Sequence, residues 1–436
     1  MRGDFSRNSD QPSKPYTRVL QQQGRVQLDA DANEQTAILL RLMRRFIVDL
    51  VGPRGTPAAP TKAGFPTDFQ IALETEAGVS SLNIAAGTYY LRGVRVSNPE
   101  ASLVKLEPEL AKAPCLVYLE AWEREVNPIE DPETREVALG VADTSWRAKV
   151  VWEVKTHKFD KPVDDKKLDP AAFDPVLDAF DTAFAATRLK AFAKKEGEIK
   201  DPCRIPPDAR FRGPENQLYR VEIHDAGNLA DKSGKPTFKW SRDNASFVFP
   251  VVNLAGPMLT LGWLGRDARS DLEEGQWIEL VDPTLPPGPP APLLQIEKVY
   301  RDTARVKLSG DPKIVSDGVE ARGVYLRRWD QHPRAVKGPA GASPGVLAVE
   351  EAKLIPIENG LSVEFQTGGS YRPGDFWLIP ARTATGDLDW PKDATGPLAL
   401  PPHGVIRWRA PLAYLNAGAV VKDLRTRFAL TTQDAP

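Results

Sequence analysis

The chain has 436 residues, of which 41% are hydrophobic and 27% charged. That length exceeds what a single growing core fills, so two or three domains or one elaborated multilayer fold are expected, and the apolar content excludes a wholly disordered chain. With 57 Lys plus Arg against 59 Asp plus Glu, the formal net charge of −2 offers no field to capture nucleic acid or an anionic membrane.

Residues 1 to 18 are polar and turn-rich, with Pro12 and Pro15, and read as an extended arm that needs a surface to become ordered. A helix follows. Asp31 and Glu34 have the spacing of a capping pair, and Leu39, Leu42, Met43, Phe46 and Leu50 recur every three or four residues up to Gly52-Pro53. One apolar stripe with Arg41, Arg44, Arg45 and Asp49 mostly off it predicts a helix that packs by a single side. From Phe69 the period changes to two, through Ile71, Leu73, Leu82, Ile84, Val94 and Val96, which is the mark of half-buried strands. The apolar runs 115–122 and 146–154 read as central strands.

Phe173, Val176, Leu177, Phe180, Phe184 and Phe192 follow Asp169-Pro170 at helical spacing, so an inserted helix is expected within 169–195. Short strands are then expected at 218–223, 237–240, 246–252, 258–263 and 276–281. A stiff proline loop over 285–290 precedes further strands at 296–300, 304–308, 324–329, 346–365, 376–379 and 405–408. Forty prolines against 32 glycines also favour many short elements joined by shaped turns. The fold class is mainly β, in several small antiparallel sheets of sandwich or barrel type, with an N-terminal helix and one inserted helix. The segments are an arm plus docking helix (1–62), a β domain (63–158), a helical insertion and linker (159–203), a second β domain (204–335) and a C-terminal β region (336–436).

Candidate chemistry is sparse. Cys115 and Cys203 lack metal-ligand spacing, and a reduced interior thiol is the simpler reading. Residues 341–345 spell a nucleophile elbow, but Pro344 follows Ser343 and has no amide hydrogen for an oxyanion hole. Asp29, Asp31 and Asn33 start like a calcium loop, yet position six is Glu34 and position twelve is Leu40, so helix capping is preferred. The histidines at 157, 224, 332 and 403 are scattered singly; His224-Asp225 reads as a structural pair. Glu120, Glu123, Glu125, Glu130 and Asp131 could supply paired carboxylates, but alternation places Glu123 and Glu125 on a solvated strand face. Arg2-Gly3-Asp4 and Asn244-Ala245-Ser246 spell an adhesion tripeptide and a glycosylation acceptor, both short enough to arise by chance. The ten tryptophans read as core and contact anchors before sugar platforms. No catalytic residue, cofactor or metal is expected.

Several strings taken together are more specific: Arg2-Gly-Asp-Phe-Ser-Arg7, the run from Val19 to Gln35, Glu130-Asp-Pro132, Ala138-Leu-Gly140, the run from Glu215 to His224, Phe238-Lys-Trp-Ser-Arg-Asp-Asn244, Arg328-Trp-Asp330, and the run from Tyr371 to Pro380. In this order they resemble an uncharacterised domain family encoded beside contractile injection systems and phage-tail-like particles, sometimes fused to β-helical spike modules. The resemblance covers residues 2 to about 415 and departs at Ala32, where an aromatic residue is expected. It implies a structural protein at the baseplate, cage or fibre periphery, with no catalytic residues to transfer.

The expected partners are other structural subunits of the particle and further copies of the chain, with no nucleic acid and no membrane span. Phe5, Tyr16, Leu39, Leu42, Met43 and Phe46 are the expected assembly contacts. Residues 1–13 lack the apolar stretch of a secretory signal, which predicts cytoplasmic synthesis before assembly. On this reading, deleting residues 2–18 leaves a folded chain that no longer enters particles. The rival expectation is a particle-borne glycan-binding or envelope-degrading protein.

Overall fold

The computed structural model describes residues 1–6, 9–58, 68–140, 142–193, 210–230, 234–265, 267, 269–286, 288–331 and 344–428. Cys203, His332, Ser343 and Pro287 lie outside them. The protein is mainly β, and its chain divides into two compact units, each assembled from three separated stretches. The first comprises 1–4, 125–148 and 180–405; the second comprises 5–124, 149–179 and 406–436.

The first unit contains a closed six-stranded barrel. Its strands follow one another around the wall as Val248–Ala255, Met258–Leu261, Arg305–Leu308, Leu294–Tyr300, Trp277–Val281 and Tyr325–Trp329. Closure leaves no unpaired edge. Val251, Leu259, Ile278, Ile296, Val306, Leu308 and Leu326 fill the barrel's apolar cluster, as the period-two pattern predicts. Beside it in the same unit, a five-stranded sheet pairs Gln217–Ile223 with Thr237–Ser241 on one side and Phe376–Arg382 on the other. Tyr219, Val221, Ile223, Phe238, Trp240 and Trp377 form its apolar face.

In the second unit, Cys115–Val126 pairs with Arg407–Asn416 in a four-stranded sheet. A three-stranded sheet (Ile71–Glu76, Val79–Ile84 and Ser102–Lys105) and a sheet containing Gly87–Leu91 and Val94–Asn98 contribute to the same core through Ile71, Leu82, Tyr89, Val96, Val117 and Leu412. Cys115 is a free, buried thiol, and burial pushes its pKa up to about 11. In a Cys203→Ser chain at pH 8, Cys115 is therefore expected to resist a disulfide reagent until the protein unfolds. Labelling of the folded chain at the rate of a free thiol would overturn that expectation.

Two sequence expectations for the helices differ from the structure. The 169–195 region is an α-helix only over Asp174–Ala186; Leu189–Ala193 is a strand paired with Leu361–Phe365, so Phe192 belongs to a sheet. The Asp31–Glu34 capping pair is not made. Helix α1 (Asp29–Val51) begins three residues earlier than a cap at Asp31 implies, its N-cap Leu28 offers no side-chain acceptor, and Glu34 instead accepts a 2.6 Å bond from Ser9 Oγ. Asp29 and Asp31 in the first turn still oppose the helix dipole favourably. At the other end, Gly52 with φ 89° donates its N–H to Val48 O, as the Gly-Pro stop predicts.

Candidate assembly surface

Helix α1 lies in the second unit with Arg41 and Arg44 turned to its own chain. Arg44 forms a 2.6 Å ion pair with Glu123 and lies 5.4 Å from the ring centre of Trp408. Arg41 donates to both carboxylate oxygens of Asp10, at 3.2 and 3.1 Å, and to the Tyr16 carbonyl. Gly93, with φ 80°, turns beneath the helix; a Cβ there would stand 2.4 Å from the Arg44 carbonyl oxygen. Only Ile38 of α1 is buried. Leu39, Leu40, Leu42, Met43, Phe46 and Leu50 remain 39–64% exposed. The sequence predicts a one-sided helix; the structure turns Ile38, Arg41, Arg44 and Val48 to its own chain and leaves the large apolar stripe to solvent.

The N-terminal arm finds its surface on its own chain. Asn33 Nδ2 donates to Ser6 Oγ at 2.9 Å, and the Val19 amide donates to Gln35 Oε1 at 2.8 Å. Phe5 is half-buried. Tyr16 is exposed, with the Lys14 ammonium 5.9 Å from its ring centre. Of the six expected contact residues, Leu39, Leu42, Met43 and Phe46 are therefore brought onto one exposed stripe, while Phe5 and Tyr16 lie on the arm.

Residues 1–3 belong to the first unit and enter a buried ionic network that sequence reasoning missed. Arg2 grips Glu222 at 3.0 and 2.7 Å and reaches Glu125 at 3.2 Å. Arg220 Nε binds Glu222 at 2.5 Å, Lys239 stands 3.6 Å from Glu222 and 2.9 Å from Glu279, and Arg327 lies 3.5 Å from Glu125. Glu279 also accepts from Trp329 Nε1. Burial pushes the three carboxyls up, but the surrounding cations outweigh it. Glu125 and Glu279 are held at about 2, and Glu222, between Arg2, Arg220 and Lys239, well below the usual carboxylate range. Gly3 is buried, with its N–H on Asn244 O and its carbonyl on Asn244 Nδ2 at 2.8 Å. Neither the Arg2-Gly3-Asp4 string nor Asn244 is presented as a free motif. The available signal was the lone Lys239 between Phe238 and Trp240 and the paired Arg327-Arg328 in a strand with no exposed position.

The other candidates are occupied structurally. Glu120 is buried and bound by Lys155, Arg407 and Arg409 at 2.6 to 2.9 Å. Glu125 is equally enclosed, so the predicted solvated face of Glu123 and Glu125 is not formed: Glu123 pairs with Arg44. His224 is buried with Nδ1 unpartnered, while Asp225 accepts from Thr237 Oγ1 at 2.6 Å. The expected structural pair of His224 and Asp225 is not made through His224 Nδ1, and Asp225 pairs with Thr237 instead. His403 Nδ1 accepts from the Leu378 amide, and His157 packs edge-on to Phe159. All ten tryptophans are buried or half-buried. Among the described residues no group of three or more His, Cys, Asp or Glu is arranged to hold a metal ion, and no helix is long and apolar enough to cross a membrane.

These features define a β-rich protein of two units interleaved along the chain, one with a closed barrel and a charged core, the other with a helix that turns its apolar stripe to solvent. The chain belongs to the family described as a family of unknown function (DUF6519), whose model matches residues 1–172 and again 163–434. No curated protein and no solved structure matches the chain.

Proposed function

We propose that this protein is a non-enzymatic structural component of a contractile, phage-tail-like injection particle, at its baseplate, cage or fibre periphery, and that helix α1 is its docking surface. The observation that carries the docking role is the orientation of α1. Arg41 and Arg44 are engaged by Asp10 and Glu123, while six large apolar side chains are left on the surface. Exposed apolar patches of several hundred Å² mark contact sites more often than scattered single residues do. The particle itself rests on the resemblance carried by the strings from Arg2 to Pro380. The occupation of Glu120 and Glu125 by cations, and the burial of six of the ten tryptophans, weigh against the glycan-degrading reading.

A Met43→Glu, Phe46→Glu chain tests this role. Both side chains face solvent, so folding is expected to be unchanged within about 0.5 kcal/mol. The variant is expected to be lost from particles purified from producing cells. Particles that carry it at the wild-type level would overturn docking through α1.

A further inference from the structure

The exposed stripe repeats in a way that specifies what covers it. Ala32, Thr36, Leu39, Met43, Phe46 and Leu50 are separated alternately by four and three residues. This is the 3.5-residue period with which one helix packs lengthwise on another. Leu40 and Leu42 widen the seam, and Leu20, Val26 and Leu28, just before the helix, are exposed as well. The six exposed side chains of α1 amount to on the order of 500 Å² of apolar surface. A stable complex needs roughly 800 Å² per partner. One helix-on-helix contact supplies most of that.

We infer that the occupant is α1 of a second copy of this chain, running antiparallel across a two-fold axis. The sizes along the seam favour this orientation. The small residues Ala32 and Thr36 lie in the first half of the seam, and the large Phe46 and Leu50 lie in the second. Antiparallel packing centred near residue 41 sets Thr36 against Phe46, Ala32 against Leu50 and Leu39 against Met43. A parallel pair would instead set small against small and large against large, leaving a void at one end and crowding the other.

The antiparallel pair also places opposite helix-dipole ends together. An isologous contact of this kind closes on itself as a dimer.

This inference rests on reading the stripe as an assembly surface but does not require the particle, and its test uses the purified full-length chain. Sedimentation equilibrium is expected to show a reversible dimer. Thr36→Phe and Phe46→Thr are each expected to weaken it by at least about tenfold, because each breaks the size match at both ends of the seam. The double swap T36F/F46T exchanges the two sizes and is expected to restore the dimer to within about threefold of wild type. Thermal melts that match wild type exclude misfolding as the cause.

A chain that stays monomeric at ~100 µM, a concentration at which even a micromolar dimer is largely formed, overturns the inference. So does a double swap whose effect is the sum of the two single ones, the result that parallel packing gives. Dimerisation of a chain that no particle incorporates would overturn the proposed function and leave this pairing standing.

Discussion

A Glu222→Gln chain is expected to lose about 3–5 kcal/mol of stability in the unit that carries the barrel, enough to unfold a marginal domain. Glu222 is the hinge of the buried network: Arg2 and Arg220 donate to it, and Lys239 stands 3.6 Å away. The cluster holds four cations (Arg2, Arg220, Lys239 and Arg327) against three carboxylates, Glu125, Glu222 and Glu279. Neutralising Glu222 leaves four cations facing two carboxylates in a region closed to water. An uncompensated buried charge costs far more than a lost surface pair.

Arg2→Met removes a cation that is already in excess and whose side chain is one-quarter exposed. Its expected loss is smaller, about 1–3 kcal/mol, mainly from the two hydrogen bonds Glu222 forfeits. Urea titration of the three chains reads both effects. Equal stability of the Glu222→Gln chain and wild type would sink this account of the core. The same contacts revise the truncation expected from sequence. Deleting residues 2–18 removes Arg2 and Gly3 from the interior of the first unit, so it perturbs folding as well as docking. Substitutions on the exposed stripe of α1 separate the two.

What was legible in the sequence followed from periodicity. Phe69, Ile71 and Leu73, and likewise Leu218 to Ile223, alternate at period two and fall in or beside strands, and the mainly β class follows from many such runs, whereas they left sandwich and barrel open and the strand pairing closes a barrel. The seam of α1 and its stop at Gly52 were equally visible. Its direction was not. A hydrophobic pattern says that a helix has one apolar side; which side meets its own chain depends on Asp10, Glu123 and Ser9 standing ready for Arg41, Arg44 and Glu34.

The charged core was hidden for a related reason. Alternation assigns Arg220 and Glu222 to the face opposite Tyr219 and Val221, and a sequence rule sends that face to water. Here it is buried, because cations and carboxylates from residues 2, 125, 239, 279 and 327 neutralise one another there. Partners more than 200 residues apart, such as Arg2 with Glu222, or Arg407 with Glu120, leave no local signal.

Lowering the pH from 6.5 to 5.0 is expected to cost the protein about 2 kcal/mol of stability through His224 alone. Burial, reinforced by the nearby Lys239 ammonium, pulls the pKa of this imidazole down to about 4 from an ordinary value of 6.5. The unfolded chain therefore takes up a proton as the pH falls through 6.5, whereas the folded chain resists until about pH 4. Across that window the unfolded state binds more protons, so stability rises with pH and is fully present above 6.5. The carboxylates have the same sign in a lower window: Glu125 and Glu279, ordinarily near 4.5 and held at about 2, withdraw their stabilisation only as the pH falls through that range.

The two windows separate the contributions. His224→Phe removes the titrating group and an Nδ1 that has no hydrogen-bond partner. Its unfolding free energy is expected to decline less than that of wild type between pH 6.5 and 5.0, the remaining decline coming from groups such as His403, whose pKa burial also lowers, and the two profiles are expected to run parallel above that window and again below about pH 4, the folded pKa of His224. Parallel profiles across the whole range would show that His224 takes up its proton equally in both states and would remove it from the account of the charged core.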